Sequence, residues 1–195
     1  MKLQDLYKKK TLAEYIIYAS VLIGGVLLDQ LSKWLTVRNM EVYQHIPVIK
    51  FGELDVASFL HIRNYGAAFG MFSDKPWIFN LISSVAIIAM IAMLFLGYME
   101  TKLSGIALSM MVSGGIGNMI DRVKLGYVVD MIHLDIFNNS RLFASVNTVF
   151  NVADTFVCVG AALLVLALTF EIIEEYKKEK LKKETDTYHG DEDSE

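Results

Sequence analysis

Phe150-Asn151-Val152-Ala153-Asp154 opens an apolar run that continues to residue 173, and this stretch decides the fold class. An α-helix needs about 20 mostly apolar residues to cross the hydrocarbon core of a bilayer. Runs of this kind lie at residues 12–37, 77–99, 103–123 and 150–173. We therefore predict an integral membrane protein, mainly α-helical, built as a bundle of four transmembrane helices.

Composition agrees with this class, since 54% of the 195 residues are apolar. The first run is not expected to be a cleaved signal peptide, because Asp29 and Lys33 stand where small cleavage-site residues would be needed. The formal net charge of −4 comes largely from the tail, residues 174–195, and so says little about a binding partner; no nucleic-acid partner is expected. We predict one membrane domain at residues 1–173 and a charged tail that is a solvated helix with a disordered end.

Lysines cluster before the first run and after the last one. Basic residues near span ends are retained on the cytoplasmic side, and an even number of spans returns both termini to one side. We predict that both termini are cytoplasmic. The loops at residues 38–75 and 124–149 then lie at the outer face.

The first outer loop has a pattern of its own. Its β-prone residues at about 41–72, broken by Pro47 and Gly52, predict a small sheet at the membrane surface, which we name the cradle. A cap that merely packs on the bundle fits the pattern equally well. The small side chains that begin at Gly66 favour close approach of an extended peptide, which makes Gly66 a candidate substrate contact.

Polar residues within the spans recur at helical spacings and are predicted to meet in one cluster near the outer surface. They are Asp29 and Lys33 on the first span, Gly114, Asn118, Asp121 and Arg122 on the third, and Asn151 and Asp154 on the fourth. Two interpretations stay open for the pairs Asp29 with Lys33 and Asp121 with Arg122. They either support the helices or contact a substrate directly.

Asp130 and Asp154 each lie where an apolar segment meets a polar loop. Two uncompensated carboxylates offer no packing benefit there, whereas a close pair shares a proton and can activate water for peptide hydrolysis. A serine peptidase with Lys33 as base and Ser109 or Ser113 as nucleophile is a weaker alternative, because serines are ordinary in packed membrane helices. Cys158 is predicted to lie within a span without a base, so a thiol nucleophile is not expected.

Histidines give no evidence of a metal site in the sequence. The four of them, His45, His61, His133 and His189, are scattered without the spacing of metal ligands. We interpret His133 and the neighbouring Asp135 as loop residues at the interface rather than as metal ligands. The sequence therefore predicts neither a metal nor a cofactor.

Five short blocks, in order along the chain, resemble the prolipoprotein signal peptidases, the type II signal peptidases of bacteria. The blocks begin at Asp29, Asn64, Gly114, Gly126 and Phe150. The resemblance implies four-helix inner-membrane aspartic proteases with an outer β cradle. They remove the signal peptide of prolipoproteins ahead of a cysteine that carries diacylglycerol, and the cyclic peptide globomycin inhibits them. Diacylated prolipoproteins, membrane lipids and globomycin-type inhibitors are thus the implied partners.

The same resemblance implies roles for individual residues. Asp130 and Asp154 match the catalytic aspartates. The residues that match the polar lining of the substrate site are Asn64, Asn118, Arg122 and Asn151, while Asp29, Lys33 and Asp121 match residues with structural or positioning roles. The 24-position separation of the two aspartates looks longer than is usual, and the extra segment lies near residues 136–148.

Two other functions remain as alternatives to the peptidase. A small proton-coupled membrane carrier would also need buried acidic and basic residues, although the chain has no inverted repeats. A noncatalytic membrane scaffold would use the glycine-rich faces for assembly. Cleavage of a diacylated precursor by the purified protein separates the three.

Overall fold

The computed structural model describes residues 10–52, 54–65, 76–135 and 149–192. In these ranges the chain forms four helices and one sheet, in the order α1 (Leu12–Asn39), β1 (His45–Phe51), β2 (Leu54–Asn64), α2 (Pro76–Phe95), α3 (Lys102–Leu125), β3 (Val128–His133), β4 (Val149–Phe150) and α4 (Val152–Glu192). The predicted fold class, mainly helical with a small antiparallel sheet, is confirmed.

Three of the described helices are long and apolar enough to cross a membrane: Leu12–Asn39, Lys102–Leu125 and Val152–Leu181. The apolar part of α2, Asn80–Phe95, is shorter than these. Its end lies beside the start of α1, where the Tyr15 hydroxyl donates to the Phe95 carbonyl oxygen at 3.4 Å. The fourth transmembrane helix remains a prediction.

One end of the bundle gathers the start of α1, the turn before α3 and a point well along α4. The Lys10 ammonium donates to the carbonyl oxygen of Glu100 at 3.5 Å, and the Thr101 hydroxyl donates to Glu171 at 2.8 Å. Both α1 and α3 begin at this end and lead into the sheet at the other end. An even number of membrane crossings would produce this arrangement.

Both apolar and polar side chains are buried where the helices meet: Leu108 and Val112 of α3 belong to an apolar core, and a polar group lies further along α3, whereas the outside is apolar. Large apolar side chains on α1, such as Leu27 and Trp34, are exposed, whereas Gly114, Asn118 and Asp121 on α3 are buried. The prediction that the α3 stripe faces protein is confirmed. Glycine is required at position 114, because a Cβ there would collide with the backbone carbonyl of Ala153 on α4.

The four strands form one antiparallel sheet in the order β1-β2-β3-β4. The sequence placed the cradle at residues 41–72 only, which is incomplete because β3 and β4 come from the second outer loop. Gly126 ends α3 in the left-handed conformation at φ 80°, and β3 follows two residues later. Residues 66–72 of the predicted cradle, and the extra segment at 136–148, lie outside the described residues.

Helix α4 runs well past residue 173, the predicted end of its span, to Glu192. At about 1.5 Å per residue, its 41 residues are about twice as long as the hydrocarbon core is thick. Part of α4 therefore lies outside any bilayer that the chain crosses. Residues 193–195 are outside the described part of the chain, so disorder at the end of the tail stays a prediction.

Candidate active site

Asp130 lies in the middle of β3 and is 2% exposed. It is paired in register with Ile62 of β2, and Asn64 ends that strand two residues further on. Its carboxylate accepts hydrogen bonds from the side-chain amides of Asn64 at 2.9 Å and Asn151 at 2.7 Å. The sheet thus fixes Asp130 on a paired strand rather than in a loop.

Asp154 lies in the first turn of α4 and is half-buried. Its carboxylate accepts from the side-chain amide of Asn118 at 2.8 Å and from the backbone N–H of Asn151 at 3.1 Å. The Asn151 side-chain oxygen in turn accepts from the backbone N–H of Asp154 at 2.9 Å, as a helix N-cap does. The helix dipole at this end favours a negatively charged carboxylate.

Asn151 connects the two aspartates. It is fully buried, and its amide nitrogen donates to Asp130 while its backbone N–H donates to Asp154. The same amide nitrogen also donates to the side-chain oxygen of Asn118 at 3.1 Å. One residue therefore brings both carboxylates, from β3 and α4, to a common site.

The pKa of Asp130 is raised from its ordinary value of 3.8 to about 6. Burial of the carboxyl group is the main cause, and the nearby charge of Asp154 adds to it. Hydrogen bonds from Asn64 and Asn151, and the charge of Lys33, oppose the shift only in part. A carboxyl group with this pKa can hold or release a proton near neutral pH.

Lys33 of α1 connects α1 to α3 next to the aspartate pair. Its ammonium lies 2.9 Å from Asp29 and 3.0 Å from Asp121, and all three side chains are buried. The predicted pairing of Asp29 with Lys33 is confirmed, and Asp121 joins it as a second carboxylate. The ammonium also donates to the Asn118 side-chain oxygen at 2.8 Å.

Both carboxylates of this ion triad reach the backbone next to the aspartate pair. Asp29 accepts from the backbone N–H of Ala153 at 2.9 Å, one residue before Asp154. Asp121 accepts from the backbone N–H of Val129 at 3.0 Å, one residue before Asp130. The geometry therefore favours positioning roles for Asp29 and Asp121.

Gln30 belongs to the same network, and the sequence analysis gave it no role. Its amide nitrogen lies 3.1 Å from Asp29, 3.0 Å from Asp121 and 3.2 Å from the carbonyl oxygen of Gly117. A polar side chain next to Asp29 in an apolar run was the available signal. Gln30 therefore connects α1 to α3 by hydrogen bonds, as Lys33 does by ion pairs.

Of the other predicted substrate contacts, the structure describes Arg122 but not Gly66. Arg122 is half-buried in the last turn of α3, and its positive charge interacts with those of Asp154, Asp130 and Asp121. Such a cation partly neutralises a site that holds several carboxylates. Gly66 lies outside the described residues.

The alternative nucleophiles are poorly placed. The Ser109 hydroxyl is buried and donates to the backbone carbonyl of Gly105 at 2.8 Å. Lys33 is engaged by two carboxylates and an amide oxygen, so it is not presented to a serine as a base. Cys158 is exposed on α4. Within the described residues, the aspartate pair is therefore the best candidate for the chemistry.

One group of possible metal ligands lies elsewhere in the sheet. His45, His133 and Asp135 place one ligand atom each within 4.8 Å of one another. The interpretation of His133 as a loop residue was wrong, since His133 is buried and closes β3, whereas Asp135 lies beyond the end of that strand and is buried.

Comparison with known proteins identifies the family of this chain. The model of the family described as signal peptidase (SPase) II matches residues 21–170, which contain every site residue discussed above. A lipoprotein signal peptidase of Streptococcus agalactiae serotype Ia is 39% identical over 158 residues, 78% of this chain and 92% of the relative. That of serotype V is also 39% identical, over 159 residues with the same coverage. The chain belongs to the signal peptidase II family.

Solved structures support the fold of this signal peptidase II family member. A bacterial membrane enzyme solved by the in meso method at 2.3 Å resolution superimposes with a TM-score of 0.67 and 29% identity, over 85% of this chain and 93% of the other. A second, at 1.9 Å, gives a TM-score of 0.63 and 28% identity, over 83% and 96%. Membership in a signal peptidase family identifies the chain as a membrane-embedded protease.

Proposed function

We propose that this signal peptidase II is an aspartic endopeptidase that removes signal peptides from diacylglyceryl-modified prolipoproteins of bacteria. The observation that carries the proposal is the single residue Asn151, which holds Asp130 and Asp154 together through one side chain and one backbone N–H. A pair of carboxylates, one of them buried and with a raised pKa, is the arrangement that acid-base hydrolysis of a peptide requires. Family membership favours this function over the carrier and the scaffold.

In the proposed mechanism the two carboxyl groups divide the work. Asp154, at the N-terminus of α4, acts as the base and takes a proton from water while the water oxygen attacks the scissile carbonyl carbon. Asp130 holds the second proton and gives it to the carbonyl oxygen. The tetrahedral intermediate then collapses: Asp154 protonates the leaving nitrogen, and Asp130 recovers its proton from the hydroxyl group as the C–N bond breaks.

Binding of substrate favours the protonated form of Asp130. An apolar signal peptide at the site removes water, and loss of water raises the pKa of a buried carboxyl group further. Asn64 and Asn118 each donate to one aspartate, so they hold the pair in place and lie where a peptide would contact them. Asn64, Asn118, Arg122 and Asn151 are thus proposed to contact substrate as well as the aspartates.

The proposed location is the inner membrane, with both termini cytoplasmic and the site near the outer face. The start of α1 and the turn before α3 lie at one end of the bundle, and the aspartate pair lies at the sheet end. A substrate lipid could then remain in the outer leaflet while its peptide enters between sheet and helices. Alkylation of cysteines introduced at Lys50 and Glu100, in intact cells with an impermeant reagent, tests this orientation: only position 50 should react.

The decisive experiment is cleavage of a purified diacylated precursor, followed by mass of the product. We expect the wild-type chain to cut before the lipidated cysteine and Asp130→Asn and Asp154→Asn to lose at least about a hundredfold in rate. The double variant should be no slower than either single variant, because the two act as a unit. Asp55→Asn, the same change near the start of β2, should leave the rate of cleavage at the wild-type value. Substantial cleavage by Asp130→Asn or Asp154→Asn, with the variant shown to be folded, would refute the mechanism.

A further inference from the structure

A second cluster of titratable side chains lies at the edge of the sheet, apart from the aspartate pair. His45 begins β1, His133 ends β3, and Asp135 follows two residues later. Nε2 of His45 and Nδ1 of His133 lie 3.4 Å and 3.0 Å from the same oxygen, Oδ1 of Asp135. Two imidazoles from separate strands therefore converge on one carboxylate.

These separations fit the donor atoms of a metal ion. Zinc binds nitrogen and oxygen ligands at about 2.0–2.1 Å with tetrahedral angles, which puts neighbouring donor atoms about 3.3 Å apart. The two separations from Asp135 lie close to that value, and all three atoms fall within 4.8 Å of one another. Little movement would be needed to admit an ion.

Hydrogen bonds between the histidines and Asp135 are the simpler explanation of the cluster, but they leave one atom unexplained. Oδ2 of Asp135 is buried and makes no direct hydrogen bond to a described residue, although the Ser58 hydroxyl lies near this carboxylate. A buried carboxylate oxygen without a partner is costly. A cation bound at Oδ1, between the two imidazoles, would compensate the charge of this buried carboxylate, and His45, whose side chain is 40% exposed, leaves a path from solvent.

We propose that His45, His133 and Asp135 bind a zinc ion, with the fourth position open to water or another ligand. The site would fasten β1 to β3 across β2, and so stabilise the sheet that carries Asp130. It takes no part in bond cleavage, because side chains alternate along a strand and positions 130 and 133 point to opposite faces of the sheet. The proposal does not depend on the peptidase function.

Zinc titration of the full chain tests this site. The protein is purified in detergent, freed of any histidine tag and of metal with a chelator, and titrated by calorimetry; its thermal melting is followed in parallel. We expect one zinc per chain and a higher melting temperature with zinc. His45→Ala and Asp135→Asn should each weaken binding at least tenfold, while His189→Ala, a change in the tail, should leave it unchanged.

Cobalt provides a second measurement that does not depend on stability. Co²⁺ bound in a tetrahedral site with nitrogen ligands absorbs visible light, so His45→Ala should reduce this absorbance while the protein remains folded. His45 is the choice because it is exposed, and its replacement should not disturb the sheet. Equal binding of zinc by wild type and His45→Ala would overturn the proposal and leave a hydrogen-bonded His–Asp cluster only.

Discussion

The Lys33 ammonium donates to the side-chain oxygen of Asn118 at 2.8 Å, and this contact sets the direction of the Asn118 amide. Lysine has no acceptor, so the oxygen of Asn118 must face it. The amide nitrogen then faces Asp154, to which it donates at 2.8 Å. A cation between α1 and α3 thereby determines a hydrogen bond to a proposed catalytic aspartate on α4.

Lys33→Met should damage stability and cleavage together. The change leaves Asp29 and Asp121 buried without their cation, and breaking such a buried pair typically costs about 3–5 kcal/mol. We expect a clear drop in the melting temperature in detergent and a loss of product from a diacylated precursor.

The matched control is Lys50→Met. Lys50 lies 3.3 Å from Asp55, but its side chain is 58% exposed, so the pair contributes about 0–1 kcal/mol. Melting and cleavage should stay near wild type. If Lys33→Met melted like Lys50→Met, the ion triad would not be supporting the site.

The raised pKa of Asp130 predicts a specific dependence of stability on pH. Between its ordinary value of 3.8 and about 6, the folded chain holds a proton that the unfolded chain has lost, so stability falls as pH rises through this window. Each pKa unit corresponds to about 1.4 kcal/mol, which makes the loss on the order of 3 kcal/mol. Asp130→Asn removes this contribution.

Melting temperatures at several pH values check the effect. The difference between Asp130→Asn and wild type should shift in favour of the variant from pH 4 to pH 6 and then level off. Asp55→Asn should show no such trend relative to wild type. A constant difference across the window for Asp130→Asn would show that Asp130 titrates normally.

Inhibitors of other protease classes should leave the enzyme active. Cleavage is expected to survive EDTA, serine-directed fluorophosphonates and thiol alkylation, and Cys158→Ala should remain active, because the proposed chemistry needs only two carboxylates and water. EDTA would remove zinc only from the His45 cluster, on the other face of the sheet. Loss of cleavage with chelator, restored by zinc, would contradict this account.

Asn64→Ala should slow cleavage by several-fold to a hundredfold. The change removes the 2.9 Å hydrogen bond to Asp130, a contact worth about 0.5–1.5 kcal/mol or more when a buried group loses its partner. Because that bond stabilises the ionised carboxylate, the pKa of Asp130 should rise further, and the rate should begin to fall at a higher pH than in wild type. Asn39→Ala, at the exposed end of α1, is the control; a pH profile unchanged in Asn64→Ala would count against the role of Asn64.

Gly66→Leu should obstruct the peptide and weaken inhibition by globomycin. The prediction rests on the sequence, since Gly66 follows Asn64 by two residues and lies outside the described part of the chain. Gly24→Leu is the matched control, because a side chain at Gly24 meets nothing within 4 Å. A globomycin binding curve on folded Gly66→Leu that matches wild type would show that this loop does not contact the inhibitor.

Contacts between residues close in the sequence could be predicted, whereas contacts between residues on different helices or strands could not. The four-residue spacing of Asp29 and Lys33 predicted their ion pair, whereas Asp121 joins them from another helix. Asp130 was placed in a loop because Tyr127 to Ile132 is too short and apolar a run to reveal its pairing with β2. The role of Gln30 also depends on the packing of α1 against α3 and leaves no spacing signal.

The buried polar cluster of this protein makes its proposed catalytic groups part of its architecture. In a bilayer, an apolar side chain gains little free energy by moving from lipid into contact with another helix. Close packing and interhelical hydrogen bonds therefore hold the bundle together. Asn118 and Asn151 supply several of those bonds and also hold the aspartates. Resistance to an inhibitor that binds these two amides would be difficult to acquire, because a substitution of Asn118 or Asn151 would also remove hydrogen bonds that hold the helices and the aspartates.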